Sequence, residues 1–251
     1  MISANVIGTQ IFSAPLGEVV DQMERVIERA DREYVCFANA HLTATARGDS
    51  STAQALGGAG MVLADGAPVA WAIKLLTGEA AHRVAGADVF DELCRRSQRS
   101  GYRHFFLGST PEVLALLAAS VEKRYPGLEV CGTYSPPFGA ALMDEVAATA
   151  QIVNDARADI VWVGLGAPRQ EQWMEAARPL LRAPLLLGVG AVFEFAAGTK
   201  RRAPRWMQRG GLEWAFRLLQ EPRRLFRRYL VTNTAFSFAL ARQLLGRANG
   251  C

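Results

Sequence analysis

Two short polar stretches stand directly after apolar runs, the position where proteins of alternating strands and helices bind their ligands. The first ends in Asn39, whose amide can hydrogen-bond a ligand or cap the helix that follows. The second places Asp65 before Gly66, a residue that permits a sharp turn or the close approach of another molecule. The Asp65 carboxylate can likewise face a ligand or cap a helix. Both stretches indicate polar chemistry at the edge of a sheet, and the capping alternative stays open for each.

A third stretch has the composition of an anion-binding loop. It is the octapeptide Gly164-Leu165-Gly166-Ala167-Pro168-Arg169-Gln170-Glu171. Gly164 and Gly166 let a ligand approach the backbone, and the proline suits the first turn of a helix whose free N–H groups attract anions. Arg169 and Gln170 can add side-chain donors to the same ligand. Glu171 either caps this helix or orients Arg169.

A second glycine pair, Gly188 and Gly190, follows a later apolar run. Neither pair completes the dinucleotide fingerprint G-x-G-x-x-G, because Arg169 and Phe193 stand where the third glycine belongs. The glycine pairs alone therefore do not identify the ligand.

Signatures of several other catalytic classes are missing from the sequence. His41, His82 and His104 have no H-E-x-x-H partner and no Asp-x-Asp occurs, so we expect no bound metal. We interpret the three histidines as structural or surface residues. The motifs G-x-S-x-G and G-x-x-x-x-G-K-[ST] are absent, which weakens hydrolase and P-loop interpretations.

Apolar runs alternate with helical patterns, which predicts an α/β fold with a mostly parallel, Rossmann-like sheet flanked by helices. The predicted strands are Tyr34 to Asn39, Met61 to Ala64, His104 to Leu107, Glu129 to Gly132, Ile160 to Gly164 and Leu185 to Val189. Pro111 to Arg124 represents the intervening helices: Thr110 can cap it, and Pro126-Gly127 ends the pattern.

The length of 251 residues, half of them apolar, predicts one substantial core with at most a small appendage. The start of the chain lacks the pattern of a signal peptide, and residues 229–241 are too few and too polar for a membrane span. The cysteines show no C-x-x-C spacing, and we expect reduced, mostly packed thiols in a cytosolic protein. They are Cys36, Cys94, Cys131 and Cys251.

Charge divides the chain into a body, residues 1–200, and a predicted C-terminal appendage, residues 201–251. Residues 200–251 hold 12 Lys or Arg against two Glu, whereas residues 1–199 hold 16 against 22 acidic residues. Within residues 212–230 an apolar helical stripe is followed by Arg223, Arg224, Arg227 and Arg228. This basic amphipathic pattern suits an anionic membrane surface. A solvated helix face packed on the body is the alternative.

Taken together, these stretches resemble the WecG/TagA/CpsF family of bacterial glycosyltransferases, glycosyltransferase family 26, from about residue 39 to residue 224. The matching residues are Asn39, Ala64-Asp65-Gly66, Arg83, Gly86, Asp88, Phe106-Leu107-Gly108, the octapeptide 164–171, residues 188–193, Ala197-Gly198, Arg202-Ala203-Pro204, Trp206, Leu212-Glu213-Trp214, Glu221-Pro222 and Arg224. So many segments in one order make a chance match improbable.

The resemblance implies an inverting transferase that needs no metal and no other cofactor. It implies transfer of a hexosyl residue, such as N-acetylmannosamine, glucose or a related sugar, from a UDP-sugar to a polyprenyl diphosphate-linked saccharide in cell-surface polysaccharide or exopolysaccharide synthesis. The expected location is the cytoplasmic face of the inner membrane, where the appendage would bind peripherally and close the active site. The resemblance also allows a homo-oligomer.

The resemblance also implies roles for individual residues. Asp65 matches the base that takes the proton of the acceptor hydroxyl. The implied diphosphate-binding residues are Arg83, Arg202 and Arg205. Asn39 and Gln170 would bind donor sugar or nucleotide, and the two glycine pairs would give the uracil and diphosphate access to the backbone.

Two departures from the family pattern bear on these roles. Phe37 stands where the family commonly has threonine, so a hydroxyl contact is missing and the preferred donor sugar is in doubt. Pro68 replaces a common glycine, and we expect it to begin the following helix and to leave Asp65 in place.

Two other functional classes compete with a transferase. A nucleotide-binding oxidoreductase would use the α/β pattern and the glycine pairs, although the third glycine is missing in both. A non-enzymatic protein would use the basic tail to bind nucleic acid. Neither class explains Asp65, Gln170 and the Arg202-Ala203-Pro204 stretch together, so we expect no nucleic-acid partner.

Overall fold

The computed structural model describes residues 1–137 and 141–248, so Cys251 lies outside the described part, as does the side chain of Arg224. An eight-stranded sheet of order β1-β2-β4-β3-β8-β7-β5-β6 forms its centre, and all pairs except β1–β2 are parallel. The strands are β1 (Ile2–Val6), β2 (Thr9–Ser13), β3 (Glu33–Ala38), β4 (Met61–Ala64), β5 (Arg103–Gly108), β6 (Glu129–Tyr134), β7 (Ile160–Gly164) and β8 (Leu185–Gly188).

Helices cover both faces of this sheet. They are α1 (Leu16–Glu28), α2 (Ala40–Gly48), α3 (Ser50–Gly57), α4 (Ala67–Thr77), α5 (Gly86–Ser100), α6 (Pro111–Arg124), α7 (Ala141–Asp144), α8 (Val146–Asp155), α9 (Arg169–Ala177), α10 (Val192–Ala196), α11 (Arg205–Arg209), α12 (Glu213–Gln220) and α13 (Pro222–Ala248). The predicted mostly parallel α/β fold is confirmed. Within the described residues, no helix combines the length and apolar character needed to cross a membrane.

The sequence predicts most element boundaries well where residue types change sharply. Met61–Ala64 and Ile160–Gly164 form strands with the predicted bounds. Helix α6 begins and ends as predicted, and the Thr110 hydroxyl accepts a hydrogen bond from the Val113 N–H at 3.4 Å. The β1–β2 hairpin was not predicted from the sequence.

Two apolar cores lie on the two faces of the sheet because both faces are covered by helices. Trp162 and Phe90 meet edge-on in one of them, with ring centroids 4.8 Å apart. His104 on β5 is also buried and accepts a hydrogen bond from the Trp162 indole N–H at 2.9 Å. Burial lowers the pKa of His104 to about 3, so this histidine is neutral and structural, as predicted.

The cysteines also occupy ordinary packing positions. Cys36 and Cys94 are buried, Cys131 is half-buried, and all three are free thiols. Burial raises the pKa of the Cys36 thiol, so it is protonated at neutral pH. Reduced, packed thiols were the expectation for these three residues.

The C-terminal helix α13 returns across the body after leaving the cleft region. Leu225, Phe236 and Ala239 on this helix are buried. Near its end, the Gln243 side chain accepts from the Ile7 N–H at 2.8 Å and donates to the Asn5 carbonyl at 2.7 Å. Helix α13 is therefore packed against the body rather than extended from it.

The exits of β5 and β7 approach so closely that a side chain cannot stand between them. A Cβ atom added to Gly108 would lie 2.6 Å from the carbonyl carbon of Gly164, and Gly108 has a φ of 115°. Gly101, with a φ of 69°, has no atom within 4 Å of the same added atom. The two glycines thus share a positive φ and differ in the space around them.

We expect Gly101→Ala to lower the free energy of unfolding by about 1 kcal/mol, because alanine at a positive φ is strained. Gly108→Ala adds a clash with the backbone of Gly164. It should therefore lower the free energy of unfolding by at least about 2 kcal/mol more than Gly101→Ala does. Urea denaturation of both variants measures the difference. Equal losses would show that the exits of β5 and β7 separate without cost.

Candidate active site

A two-lobed cleft opens at the carboxyl ends of β3, β4, β7 and β8. The small lobe measures about 140 Å³ and lies towards α12 and α13, whereas the large lobe measures about 620 Å³ and lies over the loop after β7. The lobes share five lining residues, Asn39, His41, Asp65, Arg217 and Arg228. Asp65 therefore stands where the two lobes meet.

Asp65 is held at this junction by the sheet. Its backbone N–H donates to the Ala38 carbonyl at 2.8 Å, which fixes the exit of β4 against that of β3. Gly66 occupies the N-cap position of α4 and Pro68 lies in the first turn, as expected. The Asp65 carboxylate is thus not the cap of α4, and it is available to the cleft.

Burial raises the pKa of Asp65 to about 7. The guanidinium of Arg83 opposes this shift, Glu213 adds to it, and Arg217 and Arg202 also oppose it. A carboxylate of this kind accepts a proton near neutral pH, which an exposed aspartate does poorly. The geometry therefore allows general-base chemistry at the junction.

Asn39 both caps a helix and lines the cleft. Its side-chain oxygen accepts from the Leu42 N–H at 3.1 Å, so the predicted cap of α2 is confirmed. The same residue lines both lobes. Its amide is therefore held rigidly at the cleft wall.

Besides Asn39 and Asp65, six predicted site residues line the large lobe. They are Gly164, Gly166, Arg169, Gln170, Gly188 and Gly190. Gly166 has a φ of 81°, whereas an added Cβ at Gly164 would lie 2.6 Å from the ring of Phe193. Glycine is thus required for backbone conformation at one position and for packing at the other.

The Gln170 amide ties the exit of β7 to that of β8. Its oxygen accepts from the Gly166 N–H at 3.2 Å, and its nitrogen donates to the Gly188 carbonyl and to Glu171, both at 2.8 Å. Glu171 is fully buried, and burial raises its pKa to about 7. Arg169 is exposed, so the buried Glu171 does not orient it. Glu171 instead supports the loop by accepting the hydrogen bond from Gln170.

Arg83 and Arg202 are engaged in an ion-pair network that joins the appendage to the body. Arg83 lies 2.6 Å from Glu213 and 3.9 Å from Asp88, and Arg202 lies 2.6 Å from Asp88 and 3.6 Å from Glu213. Of the two, Arg83 lines the small lobe. Arg205 is exposed at the start of α11 and is not among the described lining residues of either lobe.

Several cleft residues were not predicted as site residues. Trp214 and Tyr229 line the small lobe, and Arg217 and Arg228 line both lobes. His41 was interpreted as structural or surface but lines both lobes, and burial and the Arg228 charge lower its pKa to about 4. Its position two residues after Asn39, on the first turn of α2, was the signal available in the sequence.

Fold and cleft together define a group-transfer enzyme. Two adjoining lobes can hold two substrates, a carboxylate of raised pKa stands between them, and arginines face the space where an anionic group would lie. Comparison with known proteins makes this class specific. The chain belongs to the WecG/TagA/CpsF family of glycosyl transferases, whose model matches residues 4–250. The protein is therefore a glycosyltransferase, and the oxidoreductase and non-enzymatic interpretations are set aside.

Curated relatives have the same printed name, N-acetylglucosaminyldiphosphoundecaprenol N-acetyl-beta-D-mannosaminyltransferase. The Bacillus subtilis (strain 168) protein is 29% identical over 208 residues, which cover 82% of this chain and 79% of the relative. The Staphylococcus aureus (strain MW2) protein is 23% identical over 97% of this chain and 95% of the relative. The Bacillus spizizenii protein is 33% identical over 67% of this chain and 64% of the relative.

The raised pKa of Asp65 predicts a stability cost that depends on pH. The ordinary aspartate pKa of 3.8 applies to the unfolded chain and a pKa of about 7 to the folded protein, so the folded state binds the extra proton between these values. The free energy of unfolding therefore falls as pH rises from 3.8 to about 7, and the whole penalty remains above pH 7. We expect Asp65→Asn to stabilise the protein at pH 8 by on the order of 1–3 kcal/mol.

Chemical denaturation at pH 5 and pH 8 tests this sign, with Asp31→Asn as the control at an exposed position outside the cleft. The advantage of Asp65→Asn should be larger at pH 8. An advantage of equal size at both pH values would contradict the assigned pKa.

Proposed function

We propose that the enzyme transfers a hexosyl residue, such as N-acetylmannosamine, glucose or a related sugar, from a UDP-sugar to a polyprenyl diphosphate-linked saccharide. The reaction inverts the anomeric centre and needs no metal. The observation that carries this proposal is the position of Asp65 at the junction of two lobes. The names of the relatives support the lipid-linked acceptor and the hexosamine donor.

In this proposal the donor occupies the large lobe and the acceptor sugar occupies the small lobe. The large lobe has a volume usual for a small-molecule site, and its glycines let a nucleotide diphosphate approach the backbone. The loop ends at the N-terminus of α9, where the positive end of the helix dipole favours an anion. The small lobe is open to the appendage, where Trp214 offers an aromatic face to a sugar ring.

The chemical step is a single displacement. Asp65 takes the proton of the acceptor hydroxyl while that oxygen attacks the anomeric carbon from the face opposite the diphosphate. The bond between the anomeric carbon and the diphosphate oxygen breaks, and UDP leaves with the bonding electrons. Arg217 and Arg228 line both lobes and can stabilise the charge that develops on the diphosphate.

The appendage, residues 201–251, closes this site at an anionic membrane surface in our proposal. Its described residues expose large apolar side chains beside many arginines. These apolar residues include Leu212, Trp214, Leu219, Phe226, Leu230 and Val231. Such a surface lies in the interface of a bilayer rather than across it. The enzyme then acts peripherally at the cytoplasmic face of the inner membrane, next to its lipid-linked acceptor.

UDP release from a panel of UDP-sugars, with a polyprenyl diphosphate-linked saccharide in detergent, tests the proposed reaction. We expect release that depends on the acceptor, persists in EDTA, and falls by about 100-fold or more in Asp65→Asn because the base is removed. Asp31→Asn should retain the wild-type rate. A folded Asp65→Asn protein of wild-type rate would require another base, and full inhibition by EDTA would require a metal.

The membrane surface is tested by paired substitutions on α13. Phe226 and Leu230 are 61% and 60% exposed, so replacing both with serine should leave the fold intact. We expect the affinity for phosphatidylglycerol vesicles, measured by co-sedimentation, to fall about tenfold, because two apolar contacts with the bilayer are lost. Serine at Leu116 and Leu180, which are exposed elsewhere, is the matched control. Unchanged binding of the α13 variant would place the membrane contact on another surface.

A further inference from the structure

A separate groove of about 390 Å³ runs between α4 and α11, outside the two lobes. Its apolar wall contains Ala67, Ala70 and Trp71, and its charged groups include Lys74, Arg83 and Asp88. Neither the proposed donor site nor the proposed acceptor-sugar site occupies this groove. Its mixed lining suits a ligand with an apolar part and an anionic part.

The groove adjoins the small lobe beneath the turn between α11 and α12. Ala67, Arg83 and Gly211 line both spaces. Gly211 lets this turn pass close to α4, because an added Cβ would lie 2.8 Å from the Cβ of Ala67 and 3.2 Å from the ring of Trp71. Arg83 therefore faces both the space that contains Asp65 and the groove.

The outer end of the groove is apolar and exposed. Trp71 is 57% exposed and Leu75, one turn further along α4, is 63% exposed. An exposed tryptophan in the lining, with an exposed leucine one turn away, is unusual for a site that takes only a water-soluble ligand, whereas tryptophan is favoured where an apolar phase meets water.

Lys74 lies on α4 between Trp71 and Leu75 and is exposed at the wall of the groove. Its ammonium can approach a phosphate while its stem lies along the apolar wall. Arg83 is paired with Glu213 at 2.6 Å, so an incoming diphosphate would compete with Glu213 for the guanidinium. The groove therefore offers a guanidinium that it shares with the small lobe, Arg83, and an exposed ammonium, Lys74, on its apolar wall.

We propose that this groove binds the first isoprenoid units of the acceptor lipid and leads the chain from the diphosphate to the bilayer. This inference rests on the proposed function. The acceptor sugar then lies in the small lobe near Asp65, its diphosphate lies at Arg83, and its isoprenoid chain passes Trp71. One continuous path joins the site of transfer to the membrane.

The inference predicts that Trp71→Ala acts on the lipid part of the acceptor alone. We compare two acceptors with the same sugar diphosphate, one with a long polyprenyl chain and one with a short alkyl chain, both in detergent micelles. We expect kcat/KM for the polyprenyl acceptor to fall about tenfold, because an apolar contact is lost, while kcat/KM for the short acceptor stays unchanged. Leu116→Ala, an exposed leucine on α6, is the control and should change neither value.

Three results would overturn the inference, and each is distinct from the expected one. An equal loss with both acceptors would mean that Trp71 supports the cleft rather than the lipid. An unchanged preference for the polyprenyl acceptor, with weaker binding to phosphatidylglycerol vesicles, would make Trp71 a bilayer contact only. Wild-type enzyme inactive with both acceptors and every UDP-sugar would overturn the proposed function itself.

Discussion

Parallel strands must all end at the same edge of their sheet, and the rest of this structure depends on that constraint. Residues far apart in the sequence, such as Asn39, Asp65 and Gly166, become neighbours because each follows a strand of the same direction. Backbone pairing between β3 and β4 then fixes Asp65 to within a hydrogen bond of Ala38. The cleft is therefore positioned by the rigid sheet, and only its outer wall is supplied by α12 and α13.

Two buried carboxylates at this edge show how similar electrostatics can serve different purposes. Burial raises the pKa of both Asp65 and Glu171 to about 7. Asp65 lines both lobes, where a substrate hydroxyl can reach it. Glu171 is covered by the protein and accepts a hydrogen bond from Gln170, so its charge acts on the loop and not on a substrate. Accessibility, rather than basicity, separates the proposed base Asp65 from the supporting group Glu171.

Local signals explain what could be read from the sequence. Helix α6 and the strands β4 and β7 were predictable because caps, prolines and glycines bound them. The β1–β2 hairpin was missed because its turn places Ile7 at a φ of 45°, a conformation that β-branched residues rarely adopt. The strand exits gave Asn39 and Asp65, whereas Arg217 enters the cleft only when α12 returns across it. That contact has no local signal, because it depends on the path of the chain after residue 200.

Helix α13 links two distant parts of the molecule, the cleft and the N-terminal hairpin. It carries Arg228 at the cleft and is fastened to the N-terminal hairpin by Gln243, fifteen positions later. At the rise of an α-helix these residues are about 22 Å apart. A rotation of α13 by about 5° about its contact with the hairpin would therefore move Arg228 by about 2 Å. The hairpin contributes none of the described lining residues of either lobe. It nevertheless holds one end of the helix that forms part of the cleft's outer wall.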